Sequence, residues 1–262
     1  MRASICALSI CRAVLLAIAW TASCAADLSV EQLRDRLRGA SAARPVDLAG
    51  KDLSDLDLSG FDFQHAGLAG ASFFASKLVN CNFKGSDLRW ANLNGAWLMG
   101  ADFSAADLSG ASLLSVVVLG GPVKKMPVFT GAKLVGAKMI ADLPGANLAG
   151  ADFRDARIGV DIKNQGMGQM RTDLSSANLE RANFAGADLN RSLMTFANLR
   201  GSNLRGANFF RVKLAGADLS GADLTEADFT EADLEGVILR GAKGMDKARG
   251  LESAQNFDKA IR

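Results

Sequence analysis

An apolar residue recurs at every fifth position from Leu48 without a miss through Leu53, Leu58, Phe63, Leu68, Phe73 and onward to Val118. The same rhythm runs from Leu174 to Leu239, and Leu134, Met139, Leu143, Leu148, Phe153 and Ile158 keep it between the two runs with one slip. A period of five suits neither common element. On an α-helix each step of five turns the position by about 140°, and on a strand an odd step flips the face. These residues share one core only if the chain turns about once per repeat, so that every fifth side chain points at a common axis.

The rest of the pentad supports that reading. Two residues before each apolar centre stands a small one, as at Ala177, Ala182, Ala187, Ala217 and Ala222, which fits beside a Leu in a narrow interior. The residue just before the centre is mostly Asp or Asn, which bonds to local backbone. The residue two after is frequently Gly, which accepts positive φ. Phe63, Phe83 and Phe103 are twenty residues apart, as are Phe209 and Phe229, and these five are assigned to the structural core. Twenty is four pentads, so the expected coil has four sides, with like residues stacked at the ~4.8 Å spacing of neighbouring strands. Composition agrees: Tyr is absent and Pro numbers only 4 in 262 residues, leaving aliphatic and small side chains to fill the interior.

Segments such as Ala217–Gly221 (ADLSG) and Ala146–Gly150 (ANLAG) resemble the pentapeptide repeat family. The resemblance covers residues 46–242 and implies an all-β solenoid, a right-handed quadrilateral β-helix of about nine to ten coils. Members of the family are mostly of unknown activity, and the best understood resemble DNA and bind topoisomerases. Irregular stretches are expected at 119–133, where Val123 and Val128 hold the coil with a one-residue bulge near Pro127, and at 159–172, read as a loop. Short helical caps are expected at both ends. Residues 27–45 form a capping helix and linker in which Leu28, Ser29 and Gln32 make a capping box and staple to Leu33. Residues 243–262 form a C-terminal cap in which Met245, Leu251 and Phe257 recur at six, read as helical turns.

Residues 1–26 have the pattern of a secretory signal peptide: Arg2 and Arg12, an apolar stretch from Ala13 to Trp20, then small residues before Asp27. The expected location is periplasmic or secreted, with lipidation of Cys24 as the competing reading. Removing this segment leaves 28 basic and 28 acidic residues and a single cysteine, Cys81. A neutral chain has no global field for nucleic acid, and one thiol forms no intramolecular disulfide. Both the neutral charge and the export signal oppose a DNA mimic.

No catalytic set emerges. His65 is the sole histidine and sits at a turn position, while Cys81 occupies a small inward position as a core thiol. The Asp column is read as turn formers rather than a Ca²⁺ site. Met167 and Met170 permit a soft copper site in a metal-handling alternative, but lack a Cys or His beside them. No cofactor is therefore expected. Seven acids between Leu214 and Val237 follow a base-rich stretch from Arg181 to Lys213, giving a dipolar surface. Phe74 and Leu114 share an outward column with Asn94, and Trp90 lies at the neighbouring corner between Gly70 and Gly110. These three large apolar side chains are the candidate interaction patch, for an unknown protein partner or a second copy.

Overall fold

The structure is a computed structural model that describes residues 26–118, 125–160 and 171–262. Residues 1–25, on which the signal-peptide expectation and Cys24 fall, Val123, and the Met167/Met170 pair lie outside the described residues. The chain winds as a four-sided parallel solenoid. Each pentad contributes one paired residue and a turn, and the paired residue bonds to its counterpart one coil further on. Thus Asp47 pairs with Gly67, Gly67 with Asp87 and Asp87 with Asp107 on one side, while Asp52, Ser72, Asn92 and Ser112 stack on the next. The spacing of twenty residues per coil follows directly from this register.

Each corner is closed locally. The carbonyl of the apolar centre accepts the N–H three residues on, as Leu48 does from Lys51 at 3.1 Å, and the third turn residue takes a left-handed φ. The Asp or Asn before the centre accepts the N–H two residues later, for example Asp52 from Ser54 at 2.9 Å and Asp173 from Ser175 at 2.7 Å. Glycine is the low-cost occupant of the corner, yet Trp90 and Phe196 also stand there at φ 57° and 58°. Their rings lean over Gly110 and Gly216 in the following coil, where a Cβ would come within 2.5 Å of either ring. Glycine at those two positions makes room for the rings.

Inside the coils the centres and small residues form one continuous core. Phe63, Phe83, Phe103 and Phe129 stack face to face at 4.9, 4.8 and 5.0 Å between successive ring centroids, with Phe73 edge-on to the first two. Phe209 and Phe229 stack at 5.0 Å on another side, and Phe153 and Phe184 at 4.8 Å on a third. All of these rings are fully buried. Ring pairs of this kind add about 0.5–1.5 kcal/mol beyond the area they bury.

One expectation is corrected and another extended. The irregularity before residue 133 is not a one-residue bulge. Trp97 pairs with Val117 twenty residues on, but Asp102 pairs with Val128 twenty-six residues on, so six extra residues enter at one corner. The inward residue there is Phe129, not Val128, whose place in the apolar rhythm hid the insertion. One residue is then lost: the short strands β1 (Ser112–Val116) and β2 (Lys138–Ala141) pair in parallel with an irregularity between Leu114 and Val116, and Val128 meets Asn147 only nineteen residues on. Further along, Asp142 pairs with Asp173, eleven residues beyond the regular spacing.

The C-terminal residues do form short turns, with the N–H groups of Lys247 and Ala248 donating to Gly244 O and that of Ser253 to Gly250 O, but these turns are the corners of a further coil. Lys243, Arg249, Gln255 and Ile261 pair with Asp223, Asp228, Asp233 and Ile238, so the segment is one more paired coil with six residues to a side. Phe257–Lys259 forms a short 3-10 turn at the last corner. Glycine stands at two of the former centre positions, Gly244 and Gly250, and Met245, Leu251 and Phe257 pack against the core instead. At the other end α1 (Val30–Leu37) begins with a reciprocal box in which Gln32 N–H donates to Ser29 Oγ and Ser29 N–H donates to Gln32 Oε1. Leu28, just before the cap, and Leu33 within the helix join the same core as the first coil.

Candidate functional site

Because the interior is filled, any site lies on the outward positions. Cys81 is inside: its thiol donates to Leu58 O at 3.0 Å, and burial pushes its pKa up to about 12, so it is an inert core group. His65 is exposed at a corner with φ 58°, its ring beside Gly85. It lines a groove of about 370 Å³ between α1 and the first coils, together with Arg34, Arg38 and Asp62. Among the described residues no cluster of three or more His, Cys, Asp or Glu side chains is arranged to hold a metal ion. No helix among them is long and apolar enough to cross a membrane.

The candidate patch is spread over one side and its leading corner. Phe74 is 49% exposed and Trp90 65% exposed, whereas Leu114 is half-buried within β1. Phe74 and Leu114 stand in one column, separated by Asn94. That asparagine is not a free surface group: its Oδ1 accepts from Ser112 Oγ at 2.7 Å and from Leu114 N–H at 2.8 Å. Ile140 extends the same column through its pairing with Leu114. Trp97 on the next side and Phe196 at the opposite corner are further exposed rings that the sequence reading did not select.

The charged stretch resolves differently from its appearance in the chain. Arg200 pairs with Asp218 at 3.0 Å, Arg205 with Asp223 at 3.4 Å, Arg211 with Glu231 at 2.7 Å and Lys213 with Asp233 at 3.4 Å. The basic stretch lies one coil below the acidic one, and the two neutralise each other along the rod. For Asp218 burial raises the pKa, but bonds from Ser220 and Arg200 outweigh it and leave the carboxyl below its usual range. Asp223 is lowered chiefly by the Thr225 hydroxyl, then by that residue's N–H and Arg205. Asp142 goes the other way, raised by burial and by the facing Asp173.

A family model for pentapeptide repeats matches residues 52–89, 66–104, 86–116, 172–209 and 207–243, which together span more than half of the chain. The chain belongs to the pentapeptide repeat family. Among solved pentapeptide repeat structures it is similar to HetL of the cyanobacterium Nostoc sp. strain PCC 7120, a protein involved in regulating heterocyst differentiation. The identity is 30%, over 90% of this chain and 100% of that one, with a TM-score of 0.40. It is also similar to QnrB1, a plasmid-mediated fluoroquinolone resistance protein, at 22% identity over 76% of this chain and 89% of the other, TM-score 0.42. A pentapeptide repeat protein of the Arabidopsis thaliana thylakoid lumen is 34% identical over 45% of this chain and 73% of its own, TM-score 0.25. No curated protein matches the chain.

Proposed function

We propose that this pentapeptide repeat protein is an exported, non-enzymatic interaction module, a right-handed quadrilateral rod of nine to ten coils closed by α1 and by the C-terminal coil. It presents the side bearing Phe74, Trp90 and Leu114 to a protein partner. The observation that carries this reading is the exposure of Phe74 and Trp90 on a rod whose interior is already filled. Large rings left in water cost free energy that a partner surface would recover, and Trp is favoured at the centre of such contacts. Export rests on residues 1–26. The DNA-mimic alternative is opposed by the balance of 28 bases and 28 acids in residues 27–262.

The triple change of Phe74, Trp90 and Leu114 to Ser tests the surface: melting temperature should stay near that of the parent, while self-association in sedimentation or capture of the native partner is lost. Parental behaviour in both assays places the functional face elsewhere. Intact mass of protein taken from the cell envelope tests export. A mass lacking about 25 N-terminal residues is expected from the position of the small residues before Asp27; a mass that retains Met1 refutes cleavage, and a diacylglyceryl adduct on Cys24 replaces free export with a lipid anchor.

A further inference from the structure

The ion pairs along the rod leave one corner with cations to spare. Asp173, Leu193 and Lys213 pair in succession, so Arg171, Arg191 and Arg211, each two residues earlier, stand at the same corner of three successive coils. With Lys213, Glu231 and Gln255 they line a groove of about 480 Å³. Arg211 is taken up by Glu231 and Lys213 by Asp233. Among the described residues neither Arg171 nor Arg191 makes a salt bridge. Arg191 Nε is moreover buried without any hydrogen-bond partner, whereas its backbone N–H is bonded normally to Phe210 O. A buried guanidinium N–H with no acceptor is a costly arrangement that an anionic ligand would relieve.

We propose that this corner binds a phosphate-type oxyanion, with Arg191 as its central anchor. The backbone positions of the three arginines rise in steps of about 4.8 Å, the distance between stacked strands, so the corner suits a ligand that carries more than one oxyanion group. Guanidinium forks match tetrahedral phosphate oxygens through paired N–H donors and stay charged at any physiological pH. A phosphoryl group offers three terminal oxygens to this set, where a carboxylate offers two. Asp142 and Asp173 line the adjoining groove beyond Arg171 and set the limit of the positive region on that side. The site does not depend on the interaction surface proposed above, which lies over the first run.

Calorimetric titration of the full chain with inorganic pyrophosphate at low ionic strength tests it. Saturable binding at one site is expected, with a rise in melting temperature on ligand addition. Arg191→Gln should weaken affinity about tenfold, the size of one charge-assisted contact. Arg191→Lys, which keeps the charge but not the fork, should retain part of the affinity. Arg205→Gln, paired with Asp223 on another side, should bind as the parent does. Vesicles containing phosphatidic acid separate the two sources of such a group: capture that depends on Arg191 identifies a lipid headgroup, and pyrophosphate binding without capture identifies a soluble phosphate ester. Failure to saturate in the millimolar range, or equal loss in Arg191→Gln and Arg205→Gln, overturns the proposal.

Discussion

The two long runs of pentads fold into the same coil but are held together differently. In the first, Leu48 to Val118, a column of phenylalanines begins at Phe63 and continues across the insertion to Phe129, and the rings Phe74, Trp90 and Trp97 are left outside. In the second, Leu174 to Leu239, most centres are Leu, the Phe209/Phe229 stack is one pair long, and four ion pairs fasten residues 200–213 to residues 218–233 one coil on. Backbone register and small inward residues specify the coil. Stacking and charge are interchangeable ways of fastening one coil to its neighbour. In a solenoid, where each repeat touches only its neighbours, such local choices set local stability.

The shared part of the design breaks most severely. Leu93 and Leu199 are both fully buried centres, so Leu93→Arg and Leu199→Arg should each disrupt the rod by several kcal/mol. Gln64→Arg, at an exposed outward position, should change stability by less than about 0.5 kcal/mol. Thermal melts of the three variants check this; equal melting temperatures for all three contradict the inward register. Next in size is the ring column. Phe83 has stacked neighbours on both sides, and Phe209 has one, so Phe83→Ala should exceed Phe209→Ala within an overall range of about 3–5 kcal/mol. A larger loss at Phe209 removes the claim that stacking fastens the first run.

Acid separates the runs next. Asp218, Asp223 and Asp233 have folded pKa values below their unfolded ones. Their contribution is therefore complete above the unfolded value of about 3.9 and disappears as pH falls through the lower folded values. Asp142, whose folded pKa is raised, opposes folding at neutral pH and ceases to do so as it protonates. The first run also holds lowered carboxyls: Asp57 and Asp102 pair across coils with Lys77 and Lys84, while Asp87 is paired with Arg89 of its own coil, so acid unfastens two scattered contacts there against the group of four in the second run. Amide exchange below pH 4 should thus rise more in residues 198–240 than in residues 60–110. High salt at neutral pH should shift the same residues to a smaller degree. Uniform loss along the rod contradicts the division.

What the sequence showed is set by periodicity. The inward columns and Phe63, Phe83 and Phe103 were legible because each repeats at a multiple of five, and burial requires the same geometry at every repeat. Position 128 misled because Val118, Val123 and Val128 continue the rhythm numerically while the backbone register moves by six, placing Phe129 inward. At the C-terminus the turns were legible but not the pairing, because a six-residue side looks like helical spacing, although paired residues six apart can still come over those five apart when the surplus enters the corner. The ion pairs and the arginine corner were missed for a different reason. Arg171, Arg191 and Arg211 are twenty apart, and Arg200/Asp218 and Arg205/Asp223 eighteen apart, so writing the chain in rows of one coil aligns them. Read linearly, the same charges form a basic stretch followed by an acidic one.

The smallest contrast concerns hydroxyls at the small inward position. In the first run Ser76 Oγ donates to Leu53 O at 2.6 Å and Ser86 Oγ to Phe83 O at 2.7 Å, so each buried hydroxyl is satisfied. In the second run Ser192 and Ser202 are equally buried, but neither Oγ has a partner. Replacing Ser76 by Ala removes a made hydrogen bond and leaves the Leu53 carbonyl with one fewer donor, a cost of about 1 kcal/mol. Replacing Ser192 by Ala removes a desolvated hydroxyl that gains nothing in the folded chain. It also matches the alanine already present at Ala187 and Ala197, so stability should stay level or rise. Denaturant melts of Ser76→Ala and Ser192→Ala should therefore move apart, the first downward. If Ser192→Ala loses as much as Ser76→Ala, the second run satisfies its inward hydroxyls as fully as the first, and the two runs differ only in stacking and charge.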